Sequence, residues 1–358
     1  MKRLTTLVLV SALVSALVTA CGQDPDAIHA DSLPLDSHVD IPFDYATEAV
    51  DPLDGDLQVN LQKMRAGGLD SAFFIVYVEQ AERTPAGYEQ AAIDALTKFD
   101  AIHRMTELYP DEIGLAESAD DLLGLAEQGK LVAAIGIENG FVIGTDLSLL
   151  DRYFELGARY MTLVHNGHND IADSAQPREE LGDGDTEHGG VSNFGAEVIR
   201  RMNELGIMVD ISHASKAAAL EAIALSAAPV IASHSSVRAL TDHVRNLDDE
   251  ALLSLRDKGG VVQIVAFNAY LGDGESPSVS DLVDHIDYTV NLIGVEHVGI
   301  SSDFGGGGGI EGWNDASETP AVTAELVRRG YSANEIQMLW SGNLLRVWRE
   351  VEEVAEAL

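Results

Sequence analysis

From about residue 34 to the C-terminus, short apolar runs alternate with stretches of helical periodicity, and no low-complexity linker interrupts them. The strand candidates are Leu35–Ile41, Ser71–Val78, Leu131–Ile137, Tyr160–Val164, Ile207–Ile211, Val230–Ser233, Val261–Phe267 and Val298–Ser302. They are short, rich in Val and Ile, and largely apolar at successive positions, as strands covered on both faces of a parallel sheet must be. Between them lie amphipathic stretches. Asn193–Leu205 sets Phe194, Val198, Ile199, Met202 and Leu205 on one stripe, and Gly206 follows where a helix stop is expected. Similar helices are expected at 87–108, 118–129, 146–156, 216–225, 248–258, 279–293 and 333–355. About eight β-then-α units predict an α/β fold of the (β/α)8 TIM-barrel type. An open doubly wound sheet would carry a Gly-rich nucleotide turn after its first strand, and Asp36-Ser37-His38-Val39-Asp40 is nothing like one.

Length agrees with one large domain. The chain has 358 residues, and a barrel of this kind takes roughly 250 plus insertions. With 59 acidic and 22 basic residues, the formal net charge is -37. Nucleic acid is excluded as a partner, because phosphate binding needs clustered Lys and Arg. The acidity describes a solvated, self-repelling surface suited to a salty medium.

The N-terminus changes the picture. Met1, Lys2 and Arg3 precede an apolar run from Leu4 to Val18, which ends in Val18-Thr19-Ala20-Cys21. That run is shorter than the about 20 residues of a membrane span and fits the core of a signal peptide. Residues 1–20 therefore read as a lipoprotein signal peptide and 21–33 as a tether, with 34–358 a single (β/α)8 domain. Cys21, the single cysteine, is expected to receive lipid. The chain would then be anchored in a bacterial cell envelope, and Gly22 favours the outer over the inner membrane. An ordinary cleavage site with an incidental cysteine is the alternative. With one cysteine there is no intrachain disulfide, so the fold must stand on its core.

The C-terminal ends of barrel strands build active sites. His38 and Asp40 stand two apart on the first strand and so share a face. Glu138 ends the third, His165 the fourth, His213 the fifth, His234 the sixth and Asp303 the eighth. Four of the eleven histidines and three carboxylates thus meet at one expected rim. Unpaired buried charges are costly, and one or two divalent cations would resolve them. Imidazole and carboxylate donors suit Zn2+ best, with Mn2+ or Co2+ as alternatives.

The segments DSHVDIP, IGIENG, RYMTLVHNGHNDIADSA, HGGVSNFGAEVIRRMNELGIMVDISHAS, PVIASHSSVRAL, HVRNLDD, HVGISSDF and SGNLLRVWREVE resemble, in this order, the membrane dipeptidase (renal dipeptidase) family of zinc hydrolases. The resemblance runs from about residue 36 to the C-terminus. It implies a metallo-dipeptidase that cleaves dipeptides with free amino and carboxyl ends through a metal-bridging hydroxide. His38 and Asp40 would bind one zinc and His213 and His234 the other, with Glu138 bridging. Asp303 would shuttle the proton and His165 would stabilise the oxyanion. Arg245 would grip the substrate carboxylate, with Arg238 a competitor for that role and Tyr270 an assistant. The resemblance also points to a homodimer. One departure stands out: where the family often reads SDFDG, this chain has Gly305 after Phe304, which puts the shape of that loop in question.

Other features carry less. The run Gly305–Gly309 lacks the Lys-Ser/Thr of a phosphate loop and reads as a flexible, lid-like loop at the barrel mouth. His297 opens the eighth strand at the far end of the barrel and reads as structural, while His168 and His188 belong to the loop after the fourth strand. His29, His103, His243 and His285 lack ligand partners at suitable spacing, Pro177–Glu187 reads as an exposed insertion, and Trp313, Trp340 and Trp348 as packing residues. Two other functions compete with the dipeptidase: an amidohydrolase opening a lactam, lactone or cyclic amide, and a non-catalytic lipoprotein that binds peptide or metal.

Overall fold

The computed structural model describes residues 24–272 and 276–358. The segment expected to be a signal peptide, and Cys21 with its expected lipidation, lie outside the described residues. The strands are β1 (Leu35–Asp40), β2 (Ser71–Tyr77), β3 (Ile113–Leu115), β4 (Leu131–Glu138), β5 (Ala158–Thr162), β6 (Met208–Asp210), β7 (Val230–Ser235), β8 (Val261–Val265) and β9 (Val298–Ser301). The helices are α1 (Pro25–Asp31), α2 (Leu61–Gly67), α3 (Pro85–Leu108), α4 (Ala119–Glu127), α5 (Ser148–Glu155), α6 (Asn193–Leu205), α7 (Lys216–Leu225), α8 (Asp249–Asp257), α9 (Asn268–Leu271), α10 (Val279–Ile293), α11 (Pro320–Arg329), α12 (Ala333–Gln337) and α13 (Asn343–Ala357).

The strands pair in parallel in the order β1-β2-β4-β5-β6-β7-β8-β9. A parallel bridge from Val39 to Phe304 brings the two ends of the sheet together. This is a (β/α)8 TIM barrel. The short strand β3 pairs with β4 outside the ring; at three residues it carries too little periodicity to be read from sequence.

Alternate strand residues face opposite sides. Val39, Phe74, Ile135, Met161, Val209 and Val262 pack under the helices. Phe73, Ile75, Val132, Ala134 and Tyr160 fill the barrel together with Leu344, Leu345, Trp348 and Val351 of α13. The Phe73 ring stands 5.4 Å from Trp348 and 5.1 Å from Tyr160, so α13 plugs one end of the barrel and leaves the other for the site. Gly136 in β4 makes room inside: a Cβ there would lie 2.3 Å from the Tyr160 ring.

Helix α6 shows how local signals set the shell. The Ser192 side chain accepts from Gly195 N, Gly206 closes the helix in the left-handed conformation, and Val198, Ile199 and Met202 are buried between. Each of these side chains contributes roughly 1.5–3 kcal/mol on burial.

Part of the tether expectation is corrected. Pro25–Asp31 is a helix with Asp24 as its cap. Its His29 is buried, bonding Thr323 Oγ1 at 2.7 Å and the Gly67 carbonyl at 2.8 Å, so this segment is built into the barrel's shell. The helix expected over 333–355 is broken by a π-helical stretch at Met338–Gly342. No helix of the described residues is long and apolar enough to cross a membrane. Trp313, Trp340 and Trp348 are all buried packing residues.

Candidate metal centre

The structure brings all seven rim residues together. His38 and Asp40 come from β1, Glu138 ends β4, and His234 lies within β7, while His165, His213 and Asp303 follow β5, β6 and β9. Glu138 lies at the middle with its two oxygens turned apart. Its Oε2 is 3.6 Å from His38 Nε2, whereas its Oε1 is 3.1 Å from His213 Nε2, 3.3 Å from His234 Nε2 and 3.9 Å from His165 Nε2. On the Oε2 side, His38 Nε2 is 3.5 Å from Asp40 Oδ2 and 4.0 Å from Asp303 Oδ1. His213 (φ 65) and Asp303 (φ 58) hold left-handed backbone conformations, which non-glycine residues keep only where the surroundings impose them.

The residues behind the histidines fix which nitrogen is free. Tyr160 spends its proton on the Ser37 carbonyl, so its oxygen accepts from His38 Nδ1 at 2.9 Å. Ser233 Oγ donates to Asp210 Oδ2 at 2.6 Å and therefore accepts from His234 Nδ1 at 2.8 Å. His213 Nδ1 donates to Asn166 Oδ1 at 3.0 Å. The buried His165 Nδ1, by contrast, has no partner. With the other three Nδ1 protons committed outward, the Nε2 atoms of His38, His213 and His234 turn their lone pairs inward. That explains why His213 Nε2 and His234 Nε2 face each other at 2.9 Å: both aim at one point. The buried His38 Nε2 and Asp40 Oδ1 have no hydrogen-bond partner. Three sets of donor atoms lie within 4.8 Å of one another: His38, Glu138 and His234; Glu138, His165 and His213; His38, Asp40 and Asp303. Orphaned buried donors of this chemistry fit a divalent cation.

The electrostatics agree. Burial would raise the Glu138 carboxyl, but His165, His38, His213 and His234 outweigh it and hold the group well below its ordinary range. Burial would lower His38, yet Glu138 and Asp40 reverse the sign and raise it well above its usual value. Asp303 is pushed well above the carboxylate range by burial, with Asp40 and Glu138 adding to it. Burial lowers His165 and His213, and takes His234 down to about 4. Three carboxylates this close need positive charge among them.

A cavity of about 550 Å3 opens over the cluster, lined also by Tyr77, Lys98, Arg245, Phe267 and Tyr270. Arg245 is buried, its Nε has no partner, and its guanidinium lies 5.3 Å from the Tyr270 ring. Arg238 is turned away and paired with Asp242 at 2.8 Å. The glycine run is not a free lid, which corrects the sequence expectation. Gly306 N and Gly308 N donate to the Asp303 carbonyl, Gly309 N to the Ala266 carbonyl and Gly305 N to Gln58 Oε1. A Cβ on Gly306 would meet Asp40 Oδ2 at 2.4 Å and Asp303 Oδ1 at 2.5 Å, so the backbone approaches the carboxylates as only glycine can.

The remaining histidines serve structure. His168 bonds the Gly184 carbonyl, His188 that of Asn169, His103 that of Leu156 and His297 that of Gly260. His285 Nδ1 accepts from Val237 N, and the His243 ring packs tilted against Tyr270. Pro177–Glu187 is largely exposed, as expected. Sequence reading missed Tyr160, Asn166, Asp210, Ser233 and Lys98. The one available signal was an acid, Asp210, at the end of a buried apolar strand.

A parallel barrel carrying a histidine–carboxylate cluster at the C-terminal ends of its strands is the arrangement of a metal-dependent hydrolase. The chain belongs to the membrane dipeptidase family (Peptidase family M19), whose model matches residues 23–358. It is 38% identical over 308 residues to Dipeptidase aclJ of Aspergillus oryzae, covering 84% of this chain and 72% of that one. Over 336 residues it is 34% identical to Dipeptidase verJ of Clonostachys rogersoniana, covering 90% and 84%. The crystal structure of the probable dipeptidase PvdM from Pseudomonas aeruginosa matches with a TM-score of 0.88 at 33% identity, covering 92% of this chain and 98% of that one. Family and site together make this chain a metalloenzyme of dipeptide hydrolysis.

Proposed function

We propose that the enzyme is a binuclear zinc dipeptidase acting on dipeptides with free amino and carboxyl termini. The observation that carries this is the splayed Glu138 carboxylate, one oxygen facing His38 and the other facing His213 and His234. His38 and Asp40 would hold one ion, His213 and His234 the other, with Glu138 shared. Ions bound there would acidify water enough for attack near neutral pH and polarise the scissile carbonyl.

The protein's own groups do the rest. Arg245, buried with an unpartnered Nε, takes the substrate's C-terminal carboxylate bidentately, and the Tyr270 hydroxyl assists. The grip on that carboxylate sets the peptide carbonyl over Glu138. Asp303 stands 4.0 Å from His38 Nε2, receives the proton of the attacking water and passes it to the leaving amine. His165 is held neutral by burial and donates to the developing oxyanion. The lipobox-like end of the signal segment supports a lipid-anchored envelope enzyme, tested by intact mass: a mature N-terminus lacking the acyl increment refutes it.

The clamp is tested with Arg245→Ala on Ala-Ala and on Ala-Ala amide. A buried charge partner is worth roughly 2–5 kcal/mol, so kcat/KM for Ala-Ala falls at least about 30-fold while the poor rate on the amide barely moves. An unchanged kcat/KM on Ala-Ala would remove the carboxylate clamp and return the lactam- or lactone-opening reading.

A further inference from the structure

The buried stripe of α3 runs Ala91, Ala95, Lys98, Phe99, Ile102 and Met105. At Lys98 an ammonium occupies a place whose helical spacing suits an apolar side chain. Its Nζ gives one hydrogen bond, to the Ile41 carbonyl at 2.7 Å, and lies 4.8 Å from the Phe43 ring and 5.5 Å from the Tyr77 ring. No carboxylate among the described residues is in contact with it, although Asp40, Glu138 and Asp94 act on it through space. An ammonium carries three donors, so two remain unspent, and a buried ammonium without an anionic partner is costly.

Its place relative to Arg245 is the second observation. Lys98 reaches the barrel mouth where β1 and β2 end, beside Ile41 and Tyr77. Arg245 lies beyond β7, against Tyr270 after β8. In the ring order β1-β2-β4-β5-β6-β7-β8-β9 these positions stand across the mouth from each other, with Glu138 and its histidines between. Among the described residues lining the cavity, Lys98 and Arg245 are the only lysine or arginine side chains.

We infer that Lys98 is a specificity-determining residue that selects dipeptides whose amino-terminal residue carries an acidic side chain. The inference rests on the dipeptidase reading above: with the C-terminal carboxylate on Arg245 and the peptide bond over Glu138, the amino-terminal residue lies on the β1–β2 side. A side-chain carboxylate there gives the ammonium its missing partner. A neutral side chain leaves it unpaired, and a cationic one opposes it.

The test compares kcat/KM for Glu-Ala with Gln-Ala, and Asp-Ala with Asn-Ala, alongside Ala-Ala, on metal-loaded wild type, Lys98→Met and Lys98→Arg. Wild type prefers the acid of each pair by about ten-fold or more, the scale of a charge-assisted bond. Lys98→Met brings the ratio to about one, and Lys98→Arg keeps it. Should Lys98→Met not fold, Lys98→Gln serves, since it can still donate to the Ile41 carbonyl while losing the charge. Equal rates on acid and amide by a wild type that cleaves Ala-Ala overturn the inference and leave dipeptide hydrolysis standing. So does an acid preference that survives in the Met or Gln variant. Failure of the wild type to cleave any of the five would overturn the dipeptidase reading itself, and the inference with it.

Discussion

Gly306→Ala is a one-methyl perturbation aimed at the metal centre through its tightest backbone approach. Ordinary van der Waals contact for a Cβ begins near 3.4 Å, whereas this methyl would lie 2.4 Å from Asp40 Oδ2 and 2.5 Å from Asp303 Oδ1. Something must move by about 1 Å, and the loop backbone is tied by Gly306 N and Gly308 N to the Asp303 carbonyl. The carboxylates therefore yield, which moves Asp40 off its place beside His38. A displacement of that size at reacting groups costs on the order of 100-fold in rate. The expected result is kcat/KM on Ala-Ala reduced about 100-fold, with weakened metal retention and a Tm close to wild type, because Gly306 is exposed and its φ is not left-handed. Gly124→Ala is the control: its Cβ meets nothing within 4 Å, and the variant gains up to about 1 kcal/mol from helix propensity with no change in activity. If Gly306→Ala keeps full activity and full metal content, the close approach has no bearing on the centre and the reasoning from the glycine run fails.

Two further outcomes follow from groups behind the site and away from it. Asp210→Asn replaces the carboxyl oxygen that accepts the Ser233 proton with a group that can itself donate, freeing His234 to adopt the other tautomer. Metal affinity should fall about 10–100-fold, read by titration against a chromophoric chelator, and an unchanged affinity refutes the relay. Burial holds the His285 imidazole at about 4, below its ordinary 6.5. The unfolded chain takes up a proton first as pH falls, so stability is lost between about pH 6.5 and 4. The loss at this residue is on the order of 3 kcal/mol. Denaturant titrations of His285→Gln should show a flatter profile across that window, and an identical slope contradicts the assignment.

The legible part of the fold was the part under the simplest constraint. The eight ring strands are buried on both faces, so their apolar runs lie within a few residues of their observed limits, and α6, α7 and α10 match at both ends. Helices α1, α2, α9 and α11 were missed. Helix α11 has Pro320 at its first turn and Gly330 at its end, signals that were present and unused. Helix α1 was hidden by an Asp- and Ala-rich composition that suggested a tether, although Asp24 and Pro25 form a helix start. All seven rim residues were readable because strand ends converge in a barrel. Their supports were not: Tyr160, Asp210 and Ser233 reach the histidines from other strands, and no spacing along the chain encodes a contact across the ring. The glycine run misled for a similar reason. Its purpose is closeness to Asp40, a residue far away in sequence.

The measurement that bears most directly on the central claim is metal content by elemental analysis of protein beginning after Cys21, with Ala-Ala hydrolysis followed before and after chelation. About two zinc per chain are expected, with activity lost on chelation and regained on adding zinc. Protein that binds no metal and gains no activity from added zinc would contradict it, and the converging histidines and carboxylates would then need another explanation.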